Sequence, residues 1–388
     1  MSALTARLRA WLGAGHPAFA LGPRFLAFNP YRLLAAFSGI AVAVLVMFME
    51  LGLLQTILGS QAGIAARVAG ELVMMHGTRD NLHDWTRFAP IRLSQAAADP
   101  EVERAIPLYQ GGMLLRNPPD RAVHRVIAFA FPPDAPPLDI GDPDEIRAAL
   151  ARPNAVLFDR LSRPVYGPME RGREIELDGR IYNVAGEVAI GPDIVMDGAV
   201  VMGEGAWLGR DPGAWPIMGV VRLAPGADAG AVVARLKSAM PDMTVMTPRQ
   251  LWWREIWFTL RVAPIGIIFA IGVATGAFIG SLICYQILFN EIFDLKKELS
   301  TLRAMGFADG FFRRLVLEQA YLLAMGGFAA GLIASFLIYR LLSHATGLEM
   351  SLGLSTIVAI ALPTAVMAHL GGRLALRRLF AYEPADLY

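Results

Sequence analysis

His76, His83 and His124, with His16 ahead of them, and the carboxylates Asp142, Asp144 and Glu145 are the first places to look for metal or acid–base chemistry. Their spacing argues against it. The histidines are scattered, and no His-Glu-x-x-His helix is present to place two imidazoles on one side of a zinc ion. The strained Gly-x-Ser-x-Gly turn that exposes a nucleophilic serine does not occur, nor does a Ser-His-Asp grouping. The three carboxylates close a proline-rich loop, where they read as solvated charges or as helix caps. No Gly-x-x-x-x-Gly-Lys-Ser/Thr loop exists to cradle nucleotide phosphates. The expectation is a non-catalytic binding or force-coupling protein that itself holds no cofactor and no metal.

Two further acids, Glu50 and Glu318, lie inside apolar segments. A carboxylate in the hydrocarbon core costs several kcal/mol unless it faces protein or water. Glu50 is therefore either an intramembrane acid turned inward or an anchor at the outer interface. Two isolated acids make no proton relay, so energy for transport is expected from a partner. Glycines recur at four-residue steps, as Gly272, Gly276 and Gly280 in one apolar segment and Gly327 and Gly331 in the next. Each set forms a stripe along one helix face and allows a neighbouring helix, in this chain or a second copy, to approach closely.

The elements that carry these residues follow from hydropathy. The 388 residues are 55% hydrophobic and 18% charged, and the apolar excess is concentrated near the start and in the last third. Four segments are long enough to cross a bilayer: 33–58, 256–289 (apolar from Val262), 315–342 and 355–376, the last with a kink expected at Pro363. Lysine and arginine cluster in the N-terminal segment 1–32, in 290–314 and in the tail 377–388, while the loop 343–354 has none. The positive-inside rule then puts both termini and 290–314 in the cytoplasm and residues 59–255 outside. The N-terminus lacks the layout of a cleavable signal. Leu4, Leu8 and Leu12 suggest a surface-lying amphipathic helix, the alternative being a mobile basic tail. A net charge of +1 gives no reason to expect a nucleic-acid partner.

The predicted fold class is an α-helical membrane protein with four transmembrane helices and a large mixed α/β periplasmic domain between the first and second. Strands are predicted at Arg121–Phe131, Gly198–Met202, Met218–Leu223 and Thr244–Met246, with a hairpin at Glu174–Val188 turning on Asp178-Gly179. Asp228 is placed to cap a helix ending near Met240, its apolar face being Val232, Val233, Leu236 and Met240. The sole cysteine, Cys284, lies in an apolar segment, so the insert must rely on its own core. Between the second and third spans, Leu295, Leu299, Leu302 and Met305 share one helical face and Gly306 is placed as its C-cap. Such a helix suits either a plain interfacial role or docking of a soluble partner.

The stretch Tyr285-Gln286-Ile287-Leu288-Phe289-Asn290-Glu291-Ile292-Phe293-Asp294, with Glu298-Leu299-Ser300-Thr301-Leu302-Arg303-Ala304-Met305-Gly306-Phe307, resembles the DevC-type ABC transporter permeases of the wider MacB, LolC/LolE and FtsX group. The ending Glu383-Pro384-Ala385-Asp386-Leu387 is similar to that group's Pro-Ala-Asp terminus. Phe158-Asp159-Arg160-Leu161-Ser162, Tyr166-Gly167, Gly172 and Asn183-Val184-Ala185-Gly186-Glu187 look like its periplasmic core domain. The resemblance implies a bacterial inner-membrane permease working as a homodimer with two separate ABC ATPase subunits, which bind the ATP and Mg. It makes Glu291, Asp294, Lys297, Glu298, Thr301, Arg303, Met305 and Gly306 the candidate ATPase-coupling residues. It also implies a membrane-fusion protein, an outer-membrane channel and an amphiphilic cargo such as a glycolipid or drug. The alternative is an FtsX-like regulator of a cell-wall hydrolase. A membrane-anchored hydrolase has no catalytic grouping to support it.

Overall fold

The computed structural model describes residues 30–117, 122–192, 197–262, 264–346, 350 and 352–381. The expected amphipathic helix at Leu4–Leu12 and the Pro384-Ala385-Asp386 ending lie outside them, as does Arg121. The chain divides into a helical unit and an insert whose main part is Gln55–Gly266.

After α1 (Pro30–Gln61) the insert runs through α2 (Gly63–Ala66), β1 (Leu72–His76), α3 (Ile91–Ala97), β2 (Val102–Arg116), β3 (Val123–Phe131), α4 (Pro143–Leu150) and β4 (Ala155–Asp159). Then come β5 (Glu174–Leu177), β6 (Arg180–Val188), β7 (Ala199–Gly203), α5 (Glu204–Leu208), β8 (Met218–Leu223), α6 (Ala229–Ala239), β9 (Met243–Met246) and α7 (Pro248–Trp257). The strands join in the order β3-β7-β4-β6-β5-β2-β8-β1-β9, and β3 also pairs with β2. This second pairing closes a circuit of six strands. The long β2 serves both parts: Val102–Leu108 pairs with β8, and Tyr109–Arg116 pairs with β3.

Alternation along the strands divides the core. On β3, Val126, Ala128 and Ala130 join one buried cluster, while Ile127, Phe129 and Phe131 join another. On β1, Val73 and Met75 face that second cluster, and Leu72 and Met74 pack with Val232 and Leu236 of α6 and with Met240 just after it. Strands covered on both faces have no polar side to show. Gly111 on β2 is required by a close approach, since a Cβ there would lie 2.7 Å from the Trp207 ring.

Local chemistry fixes the turns. Asp178 and Gly179 both take positive φ, at 45° and 81°, and Leu177 pairs with Arg180, which gives the expected two-residue hairpin. Asp142 and Asp228 cap α4 and α6 by accepting the Asp144 and Gly230 amides. Thr247 opens α7 with a capping box: Gln250 N–H donates to Thr247 Oγ1 at 3.2 Å, and Thr247 N–H donates to Gln250 Oε1 at 3.0 Å. Thr247→Ala is expected to cost about 1 kcal/mol, read as a lower melting temperature with the fold retained.

The helical unit comprises most of α1, α8 (Ile265–Asp294), α9 (Lys296–Ala304), α10 (Asp309–Thr346) and α11 (Leu354–Ala381, which contains Pro363). Among the described residues four helices are long and apolar enough to cross a membrane. The second begins later than 256 and runs beyond 289. α7 and a π-type turn at Phe258–Val262 come before it, and Pro264, which has no amide to donate, separates them from Ile265. Ile268, Phe278, Ile333, Leu337, Leu354 and Leu362 are all exposed, as lipid-facing side chains are.

Both glycine stripes pack within the chain. A Cβ on Gly276 would lie 2.8 Å from Met47, and one on Gly331 would lie 2.7 Å from Val44. Gly327 meets Ile40, and Gly280 meets Ala43 and Met367. α1 therefore lies between α8 and α10. Three buried hydroxyls are satisfied inside their own helices: Ser281, Ser335 and Thr364 donate to the carbonyls of Ala277, Gly331 and Ile360 at 2.7–2.8 Å.

Candidate functional site

The candidate site is α9, the short helix between α8 and α10. Leu295 breaks the regular helix for one residue only, because its amide still bonds Glu291 O and its carbonyl accepts the Leu299 amide. Leu299 is buried and Leu295 and Leu302 are partly buried, all packed on the bundle with Ile292, Phe312, Leu315 and Val316. Met305 departs from the expected apolar face: it is 63% exposed. The cause is the helix end, since Met305 follows the last residue of α9 and no longer shares its face.

That end is a Schellman cap. Gly306 has φ of 88°, Phe307 N–H donates to Leu302 O at 3.3 Å, and Met305 N–H donates to Thr301 O at 3.0 Å. A Cβ on Gly306 meets nothing within 4 Å, so its constraint is conformational. Gly306→Ala is expected to cost about 1 kcal/mol from left-handed strain, read as faster hydrogen exchange at Met305 and Phe307 with the global melting temperature nearly unchanged.

The structure distributes the candidate coupling residues unevenly. Asp294, Lys297, Glu298 and Thr301 are exposed. Thr301 Oγ1 donates to Lys297 O at 2.8 Å, so the hydroxyl's proton is used within its own helix. Glu291 turns inward, accepting from Gln319 Nε2 of α10 at 2.9 Å. It therefore ties α8 to α10, a role different from a surface contact. The Arg303 side chain lies outside the described residues. Sequence reasoning overlooked Phe293 and Phe307, both exposed; Lys296 Nζ stands 4.8 Å above the Phe293 ring, and Phe307 packs against Phe311 at 4.9 Å. Aromatic residues flanking a charged helix were the available signal.

Glu50 is half-buried, and its carboxylate fills the space a side chain at Gly272 would need, so the acid and the first glycine stripe belong to one contact. Glu318 is also half-buried, with Oε2 shielded from solvent and no hydrogen-bond partner. In the insert, no three of His, Cys, Asp or Glu converge as metal ligands among the described residues.

Four helices long and apolar enough to cross a membrane, with an α/β insert between the first two, give the layout of a polytopic membrane protein. Residues 270–384, the segment that holds α9, match the family described as FtsX-like permease C-terminal. No curated protein sequence matches the chain. The periplasmic region of MacB from Actinobacillus actinomycetemcomitans is similar at 11% identity and a TM-score of 0.35, over 48% of this chain and 93% of that one. The extracellular domain of the noncanonic ABC-type transporter YknZ from Gram-positive bacteria is similar at 12% identity and a TM-score of 0.32, over 46% and 98%.

Proposed function

We propose that this chain is the membrane subunit of an ABC exporter in the bacterial inner membrane, driven by a separate ATPase that docks on α9. The observation that carries the reading is a capped helix within an FtsX-like permease domain. It packs Leu299 against the bundle and leaves Lys297, Glu298 and Thr301 exposed. Both termini and α9 are cytoplasmic in this reading, and the insert is periplasmic.

Two copies act with two ATPases, which bind the ATP and Mg. Closure of the ATPases on ATP displaces α9. Because Leu295 leaves the backbone hydrogen bonding from α8 into α9 intact, the push passes to α8 and, through the Glu291–Gln319 bond, to α10. The inserts then move and expel an amphiphile from the outer leaflet or periplasm into a membrane-fusion protein and an outer-membrane channel. The residue contacts that would carry this motion are Asp294, Lys297, Glu298, Thr301, Arg303 and Met305, with Gly306 holding the helix end.

The FtsX-like match supports a second reading, in which the insert activates a cell-wall hydrolase and nothing is exported. Co-purification from mild detergent separates the two. The tagged wild type is expected to bring an ATPase and a fusion protein, and Glu298→Arg with Arg303→Glu to lose the ATPase. Recovery of a hydrolase in place of the fusion protein selects the regulator. An ATPase retained by the double variant contradicts docking on α9.

A further inference from the structure

Tyr321 of α10 and His369 of α11 are joined across the two helices, the phenol oxygen lying 3.2 Å from Nδ1. Just beyond this bond the helices touch: a Cβ on Gly372 would stand 3.0 Å from Leu317 and 3.2 Å from Ala320. Residue 369 thus meets 321, and 372 meets 317 and 320, so the start of α10 runs beside the end of α11. Arg314 stands two turns before Tyr321 on the same side of α10, and Arg373 one turn after His369 on α11. The seam between the helices therefore carries a phenol, an imidazole and two guanidiniums. Arg314, Tyr321 and Arg373 are exposed and His369 is half-buried, beside the exposed apolar side chains of Met325, Leu370 and Leu374.

Depth follows from helix length. From Leu354, where α11 begins, to Arg373 is about 28 Å of helix at 1.5 Å per residue. A hydrocarbon core is roughly 30 Å thick. Arg373 then reaches the edge of the core, with His369 and its partner Tyr321 about 6 Å within it. Arg314 lies about 10 Å from Tyr321 towards the same end, hence about 4 Å beyond Arg373. That places it inside the headgroup layer, which is roughly 5–8 Å thick.

The charges decide what covers this seam. Arg377 adds an exposed cation one turn beyond Arg373, against one acid, Glu318, between Arg314 and Tyr321. A second copy seated here by two-fold symmetry would set the same cations against each other. A phosphodiester matches them, because a guanidinium offers it two parallel donors. The Tyr321–His369 pair suits the esters just below. A phenol and a neutral imidazole hold two polar hydrogens, and their mutual bond uses one, so either tautomer leaves a donor for an acyl carbonyl.

We propose that Arg314, Tyr321, His369 and Arg373 form a site for one anionic phospholipid on the seam between α10 and α11. The arginines bind its phosphate, and the Tyr321–His369 pair donates to an ester carbonyl. The site rests on α10 and α11 crossing a bilayer, as in the proposed function, and is independent of the insert and of any ATPase.

The test uses the full-length chain in nanodiscs of phosphatidylcholine with phosphatidylglycerol, lipid retention being read by native mass spectrometry. The wild type is expected to retain phosphatidylglycerol over phosphatidylcholine. Arg314→Gln with Arg373→Gln is expected to bind it roughly 25-fold more weakly, about fivefold for each arginine. Tyr321→Phe with His369→Phe is expected to weaken it about fivefold, the loss of one hydrogen bond. Arg340→Gln, exposed at the other end of α10, is expected to change nothing. An unchanged melting temperature shows that each variant folds. A wild type with no preference for phosphatidylglycerol overturns the site whatever the variants do. So does equal retention by the double arginine variant, or an equal loss in Arg340→Gln, which would reduce the effect to overall charge. Disulfide-linked dimers through Tyr321→Cys, in a Cys284→Ser background, assign the seam to a second copy and also overturn it.

Discussion

Arg79→Ala is expected to unfold the insert at temperatures where the wild type is fully folded. Arg79 is completely buried, and its guanidinium donates to three carbonyls: Asn81 O at 3.0 Å, Ile217 O at 2.5 Å and Leu82 O at 2.6 Å. Its positive charge also acts on the buried Glu255, together with His83 and Arg254. Burial lowers its pKa to about 10, which leaves it charged at neutral pH. Alanine would orphan three buried acceptors and a carboxylate. Leaving a buried acceptor unsatisfied costs about 1–3 kcal/mol, against a total stability of about 5–15 kcal/mol for a folded domain. Circular-dichroism melting of the detergent-solubilised chain checks this. Arg79→Met with Glu255→Gln is expected to lose less than Arg79→Ala alone, because it leaves no unpaired charge.

Glu255 itself sets a pH dependence. Burial raises the Glu255 pKa above the ordinary glutamate value, against the pull of the Leu82 amide, His83, Arg79 and Arg254. The folded insert therefore holds that proton more tightly than the unfolded chain does. Its contribution to stability is complete below about pH 4.3, the unfolded glutamate value, and is lost as pH rises through the folded value. Melting temperature is expected to fall over that interval in the wild type, and Glu255→Gln is expected to remove the slope.

The second large effect is expected from Gly331→Leu. A Cβ at this position would stand 2.7 Å from Val44 and 2.9 Å from the Ala41 carbonyl oxygen. Neither can yield without moving α1, which Gly276 and Gly280 hold from the other side. Overpacking a close-packed core costs about 1–3 kcal/mol even where side chains can adjust. Here a backbone carbonyl is in the way, so the variant is expected to be recovered poorly and to aggregate in detergent, with Gly331→Ala intermediate. Gly310 is the internal control: a Cβ there meets nothing within 4 Å, so Gly310→Ala is expected to be neutral or slightly stabilising.

These two sites differ in how far the sequence announces them. The glycine stripes were legible because Gly272, Gly276 and Gly280 recur at helical spacing; what the sequence left open was whether the neighbour is α1 or another copy. β8 and the Asp178-Gly179 hairpin were legible because local chemistry specifies them. β1 and β4 were not, since Leu72–Met75 and Ala155–Phe158 are buried on both faces and lack the alternation that marks a strand. β2 was obscured by Pro107 and by Gly111-Gly112, which read as breaks until Trp207 is seen packed over Gly111. Arg79 gave no local signal at all, because its partners lie as far away as Ile217 and Glu255. On α9 the heptad-like leucines identified the packed face, but the inward turn of Glu291 depends on Gln319, in the next span.

The measurement that bears most directly on the account is cysteine cross-linking in intact membranes, in a Cys284→Ser background so that the introduced thiol is the only one. Glu298→Cys on α9 and Glu145→Cys on α4 are both at exposed positions. Glu298→Cys is expected to cross-link to an ATPase subunit and to resist a membrane-impermeant maleimide added from outside, while Glu145→Cys is expected to be labelled from outside and to capture no ATPase. Labelling of Glu298→Cys from outside, or the absence of any ATPase adduct there, would contradict it.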